Sequence, residues 1–270
     1  MLRRCRRFRA SVRLLTALLV VFTVMGIPAL RLPAFADNLY PSHSAGFDFS
    51  FPQCGSVNIP DQVTVNAPYQ FAIIGVNHGR AYTPNTCLAN QISYAASKGL
   101  TMAFVINLNA PRVGQATGSN ASNTANSGCA ADDLACSSYV YGWNAAQDAF
   151  NVTEQALLSV GDRSIPTGWW MDIESANYWS PNTALNDRVI QGAIDFVQQT
   201  IPNGVMGVYS TQSEWNAIAG SNYQPGVPAW LAGARSFAGA PSLCGLPSFT
   251  GGPVAIVQYA TRLLDVDYAC

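Results

Sequence analysis

Two carboxylates one residue apart, Asp172 and Glu174, close the apolar run Trp169-Trp170-Met171-Asp172-Ile173-Glu174. In an extended strand, residues i and i+2 point to the same face, so both acids would project together. Like charges held that close do not both ionise readily, and one carboxyl keeps its proton toward neutral pH. A proton donor beside a carboxylate is what cleavage of a glycosidic bond requires. A strand end with two solvated acids would have the same local sequence, because carboxylates are mostly exposed. The rest of the chain decides between these readings.

Other acids stand in or beside apolar runs. Asp48 lies near the end of Ala45–Phe49, and Asp267 lies within Leu264–Tyr268. Asp265, two residues before Asp267, shares its face and is the alternative fourth acid. Aromatic residues follow several of the same runs. Tyr178 and Trp179 come after the acid pair, Tyr209 ends Val205–Ser210, and Tyr259 ends Ala255–Tyr259. Sugar rings stack their apolar faces on such side chains, and Trp179 is the leading candidate for that platform. Single Trp and Tyr residues more often serve packing, and Trp169, Trp170, Trp215 and Trp230 are assigned to it.

Positioning these groups needs strands whose ends share one face. The apolar runs Ala45–Phe49, Phe71–Asn77, Thr101–Asn107, Gly168–Ile173, Val205–Ser210, Ala229–Ala232, Ala255–Tyr259 and Leu264–Tyr268 read as eight strands. Helical segments are expected at Leu88–Lys98 and Tyr141–Val160, closed by Gly99 and Gly161. Another starts at Ser180-Pro181 and buries Leu185, Val189, Ala193, Val197 and Ile201. Thr211 and Glu214 form a capping-box pattern for a short fourth. The expected fold is α/β, a single-domain TIM-like (β/α)5(β)3 barrel with the acids at the C-terminal ends of the strands. Gly114 to Ser138, rich in Gly, Ala, Ser and Asn, reads as a long loop, either a lid or an insertion.

The N-terminal residues read as an export signal. Arg3, Arg4, Arg6, Arg7, Arg9 and Arg13 precede the apolar stretch Leu14 to Leu30, and Ala34-Phe35-Ala36 suits cleavage. Residues 1–36 are thus the expected signal peptide and 37–270 the barrel domain of a secreted, extracellular protein. An uncleaved anchor is the alternative, against which Gly26, Pro28 and Arg31 interrupt the span. The 270-residue chain has a net charge of −1, but seven of its 14 basic residues precede residue 37. From Asp37 onward, seven basic residues face all 15 acidic ones, a net of −8. That balance argues against nucleic acid and against anionic membrane as partners.

Six cysteines follow the signal, and three disulfides are expected between sequence neighbours: Cys54 with Cys87, Cys129 with Cys136, and Cys244 with Cys270. With only His43 and His78 and no C-x-x-C, no zinc site is expected, and no nucleotide motif stands between a strand and a helix. No metal or cofactor is therefore anticipated, and a monomer is expected.

Several segments together resemble the glycoside hydrolase family 25 lysozymes (muramidases) and related glycoside-hydrolase-like domains of secreted bacterial proteins. Gly46-Phe47-Asp48-Phe49-Ser50-Phe51-Pro52-Gln53 is similar to that family's opening G-x-D-x-S-x-x-Q, and Phe71-Ala72-Ile73-Ile74 to its second strand. Asp172-Ile173-Glu174 matches its D-x-E. Gly207-Val208-Tyr209-Ser210 with Trp215, Pro228-Ala229-Trp230-Leu231-Ala232, Gln258-Tyr259 and Val266-Asp267 resemble its later strands. The resemblance implies that Glu174 is the general acid and that Asp172 tunes it and holds the substrate's acetamido group. It implies that Asp48 and Asp267 support the charged transition state, with net retention. Two departures alter the cleft walls: Gly75-Val76-Asn77-His78-Gly79 replaces a Lys-Ala-Thr-Glu-Gly segment. Phe104-Val105-Ile106-Asn107, followed by Asn109, replaces a G-x-Y-H ending. Tyr178, Trp179, Tyr209, Tyr259, Gln258, Asn107 and His78 are the expected substrate contacts. A secreted glycosidase acting on peptidoglycan or a related amino-sugar polymer is the leading expectation. A non-catalytic wall-binding module on the same scaffold, or a transglycosylase, are the alternatives.

Overall fold

Apolar runs of four to seven residues, each ended by a turn, assemble side by side into a closed eight-stranded barrel in sequence order. The computed structural model describes residues 39–54, 68–112, 128–130, 132–261 and 264–270. The expected signal segment and most of Gly114–Ser138 lie outside these residues. The strands are β1 Ala45–Phe49, β2 Phe71–Gly75, β3 Thr101–Asn107, β4 Gly168–Asp172, β5 Val205–Ser210, β6 Ala229–Ala232, β7 Val254–Ala260 and β8 Asp265–Ala269. Neighbours from β1 to β7 are parallel, whereas β8 runs antiparallel to both β7 and β1.

The helices are α1 Leu88–Ser97, α2 Leu134–Ser159, α3 Thr183–Thr200 and α4 Gln212–Ile218, following β2, β3, β4 and β5 in turn. A 3-10 turn at Phe51–Gln53 follows β1. The helix count thins after β5 as expected, with only a 3-10 segment, Phe237–Leu243, between β6 and β7. Helix α2 begins seven residues before the expected Tyr141, inside the segment read as loop. Asp133 caps it there, accepting from the Cys136 backbone N–H at 2.9 Å, and the Cys129–Cys136 disulfide clips the same turn. Helix α3 is capped by Asn182 rather than Ser180, whose hydroxyl instead accepts from the Asn182 N–H.

Strand alternation sorts the apolar residues into two layers. Phe47, Phe49, Ile74, Phe104, Ile106, Trp169, Met171 and Val208 face the helices. Phe71, Ile73, Ala103, Trp170, Trp230 and Ile256 fill the barrel interior. Trp170 occupies the space left by Gly207, where a Cβ would lie 2.2 Å from its ring. Outside, α2 and α3 pack with their backbones nearly touching. A Cβ on Gly192 would fall 2.0 Å from the Tyr139 carbonyl oxygen.

All three expected disulfides form. Cys244–Cys270 ties the end of β8, the closing strand, to the 3-10 segment across a separation of 26 residues. A loop of that size predicts roughly 2–4 kcal/mol lost in a Cys244→Ser/Cys270→Ser variant, read as a lower urea midpoint. An unchanged midpoint would show that β8 is held by its strand pairing alone. Among the described residues, no helix is long and apolar enough to cross a membrane.

Candidate active site

The interior face of the strands ends in acids at the mouth of the barrel. Asp48 is on β1, Asp172 is the last residue of β4, and Glu174 follows two residues later on the same side. Because β8 runs antiparallel, its first residue sits highest. Asp265 pairs with Asp48, whereas Asp267 pairs with Gly46 and Gln258 one pleat deeper. Asp267 is fully buried, and Asp265 is half-buried at the rim. Asp267, expected to support the charged transition state, is thus placed below the mouth, where it can act only through its charge or through Asp48. The direction of β8 puts Asp265 at the mouth and makes Asp267 part of its floor.

The acids are held by a small set of donors. Asn107 at the end of β3 donates its amide to Asp172 Oδ2. Asn77 fixes Asn107 in turn, accepting from its N–H at 3.0 Å and donating to its carbonyl at 3.0 Å. Gln258 on β7 donates to Asp48 Oδ2 at 2.8 Å and accepts from the Tyr209 hydroxyl at 2.9 Å. Trp230 on β6 donates its indole N–H to Asp267 Oδ1 at 2.8 Å. The second oxygens of Asp172 and Asp267 are buried without a hydrogen-bond partner. Such groups are costly to bury as anions.

That cost appears in their acidity. Burial, followed by the Asp265 charge, pushes Asp48 up to about 8. Burial raises Asp172 well above the carboxylate range, and Glu174 beside it adds to the shift through its charge and a shared hydrogen bond. Asp267 is raised in the same way, by burial and then by Asp48. Glu174 is raised by its half-burial, then by the charge of Glu214, partly offset by the hydrogen bond from Asp172. The mouth therefore holds protons toward neutral pH on carboxyls that in water would have lost them. Asp172 is 7 % exposed, so Glu174 is the member of the pair open to a substrate oxygen.

The expected substrate contacts divide. Tyr209 lines the interior beside the acids, whose charges, after burial, raise its hydroxyl pKa. Gln258 and Asn107 touch carboxylates directly, and so act first as their supports. Trp179 is half-buried against the helix-facing core, and its indole donates to the Glu174 carbonyl oxygen at 2.9 Å. Through this bond it holds the acid's backbone. Tyr178 is exposed, with the Arg112 guanidinium 4.7 Å above its ring. His78 is exposed against Phe51, with ring centroids 3.5 Å apart. Tyr259 is a correction: it is buried and packs against Phe237 outside the barrel. Its neighbour Gln258 points inward, so strand alternation directs Tyr259 away from the cleft.

Asn77, Glu214 and Trp230 act as supports of the acids, where the sequence suggests only an altered cleft wall, a helix cap and packing. Trp230 had a usable signal, since with Ile256 and Gln258 it belongs to the inward set of adjoining strands. Asn77 and Glu214 act through contacts across the fold. The role of Asn107 is directly testable. Asn107→Ala is expected to lower turnover roughly tenfold, by leaving the Asp172 carboxyl without its donor. An Asn107→Ala variant with full turnover would show that Asp172 needs no support.

No protein-family model matches the sequence, and no curated protein matches it. Solved structures do share its fold. The modular autolysin LytC from Streptococcus pneumoniae, in complex with a synthetic peptidoglycan ligand, is 13 % identical with a TM-score of 0.53. That match covers 83 % of this chain and 46 % of LytC, so the present chain spans less than half of that protein. A bacterial lysozyme from Streptomyces coelicolor is 19 % identical with a TM-score of 0.51, covering 84 % of this chain and 92 % of the lysozyme. A family 25 glycosyl hydrolase from Bacillus anthracis is 10 % identical with a TM-score of 0.50, covering 86 % and 90 %. The chain thus has the TIM-like barrel fold of glycoside hydrolase family 25 structures, with five carboxyl groups gathered at and beneath its mouth.

Proposed function

We propose that the protein is a glycoside hydrolase that cleaves β-glycosidic bonds of peptidoglycan or a related amino-sugar polymer, with Glu174 as the proton donor. The observation that carries this reading is the Asp172/Glu174 pair. Both carboxyls have raised pKa values, chiefly through burial, and Glu174 is the more open of the two to substrate. Glu174 gives its proton to the leaving oxygen as the C1–O bond breaks. Positive charge then builds on the ring, facing Asp48 and Asp265. Asp172 supports the acetamido group, whose carbonyl oxygen bonds C1 as the leaving group departs; water, giving its proton back to Glu174, then breaks that bond from the opposite face, with net retention. The structural neighbours, among them a lysozyme and an autolysin in complex with a synthetic peptidoglycan ligand, support the choice of polymer. Three disulfides suit an extracellular site of action.

The test is product analysis after incubating the purified protein with purified peptidoglycan and with chitin-type oligomers. New reducing ends are expected from peptidoglycan, and the sugar at those ends names the bond. Saturable binding with no product would replace this reading with that of a wall-binding module.

A further inference from the structure

Glu214 opens α4 in a pattern that predicts a capping box, in which its carboxylate would return to the backbone N–H of Thr211. Only half of that box forms. Thr211 Oγ1 accepts from the Glu214 N–H at 3.1 Å, but the carboxylate turns toward a different segment. Glu214 Oε1 accepts from the Ser175 N–H at 3.0 Å and from the Ser175 hydroxyl at 2.6 Å. Oε2 accepts from Thr211 Oγ1 at 3.0 Å. Ser175 is the residue directly after Glu174. Glu214 thereby gives up its usual local partner to grip the chain next to the proposed acid.

The grip completes a frame around Glu174. On its N-terminal side, the Ile173 N–H donates to the Tyr209 carbonyl at 3.0 Å, and the Ser210 hydroxyl donates to the Ile173 carbonyl at 2.7 Å. On its own carbonyl, Trp179 donates its indole N–H. Glu214 supplies the C-terminal hold, and it is the only member of this frame that carries charge.

We propose that Glu214 is a positioning residue for Glu174: it clamps the following Ser175 and sets a fixed negative charge beside the acid. The proposal rests on the reading of Glu174 as proton donor. Three hydrogen bonds, two of them from Ser175, hold Glu214 below the usual carboxylate range despite partial burial, so it ionises before Glu174 does. A neighbouring anion disfavours ionisation of Glu174, which helps it to arrive at the substrate protonated. The other groups facing Glu174 are Asp172 from β4, Asp265 from β8, Asp48 from β1 and Tyr209 from β5. Glu214 differs from these acids in being held as the anion by hydrogen bonds.

Two variants separate the clamp from the charge. Glu214→Gln keeps an acceptor oxygen for Ser175 and removes the charge. Its kcat/KM profile is expected to lose activity at lower pH than the native profile, and a 13C-carboxyl NMR titration should show Glu174 ionising earlier. Glu214→Ala loses both, and kcat should fall roughly tenfold further while KM changes little. An unshifted Glu174 titration in Glu214→Gln, with both variants equal in turnover, would reduce Glu214 to a helix cap and overturn the proposal. If the native protein turns over no glycan but the titration still shifts, the hydrolase reading fails and the action of Glu214 on Glu174 stands.

Discussion

Glu174→Gln is expected to lower kcat/KM on peptidoglycan by roughly 10³-fold, with the fold intact. Glutamine fills the same volume and cannot donate a proton to a leaving oxygen as a carboxylic acid does. No other carboxyl can take its place: Asp172 and Asp267 are closed off from solvent, and Asp48 and Asp265 stand across the barrel on β1 and β8. The same change removes a charge from beside Asp172, Asp265 and Glu214, so thermal stability should be unchanged or slightly higher. Native activity should also fall as pH rises through the raised pKa of Glu174, because the acid must be protonated to act. Residual turnover near the native level would remove Glu174 from the mechanism.

The second large effect is on stability. In the unfolded chain, each site aspartate has a pKa of about 3.9. In the fold, burial and then the Asp265 charge push Asp48 up to about 8, while Asp172 and Asp267 are raised well above the usual range. The folded state therefore binds more protons than the unfolded state between those values. The stability these groups contribute is present below about pH 4 and is lost as pH rises toward 8. Asp187, raised by burial to about 6 and lying outside the site, has the same sign. Glu214, with its lowered pKa, has the opposite sign and matters only in acid. One carboxyl titrating in this window is worth about 1.4 kcal/mol per pH unit, or roughly 3–5 °C in Tm for a domain of this size. Thermal melts should therefore show Tm falling from pH 5 to pH 8. Asp48→Asn should melt higher than the native protein at pH 8 and near it at pH 5, at a cost in activity. Parallel curves for the two proteins would show that Asp48 is ionised in the fold at no cost.

Local pattern was enough to determine the strands and the central acid pair. Each strand is an apolar run bounded by turn residues, and Asp172 and Glu174 lie two apart, so one strand carries both to one face whatever surrounds it. Sequence proximity was also enough for the three disulfides, and the fading of helices after β5 was legible in the Gly, Pro and Ser of the later connections. The parity of Tyr259 was legible too, since an inward Gln258 sends its neighbour outward. What the tertiary structure decided is how deep each group sits and what it touches. The four residues that link β7 to β8 are too few for a parallel crossover, so β8 runs antiparallel; its pairing with β1 on closure then sets Asp265 at the rim and Asp267 on the floor. Asn107 meets Asp172 from 65 residues away and Glu214 meets Ser175 from 39, so both roles follow from packing rather than from motif. The raised pKa values are of the same kind. They come from exclusion of water and from charges brought in on separate strands, and neither exists until the barrel has closed.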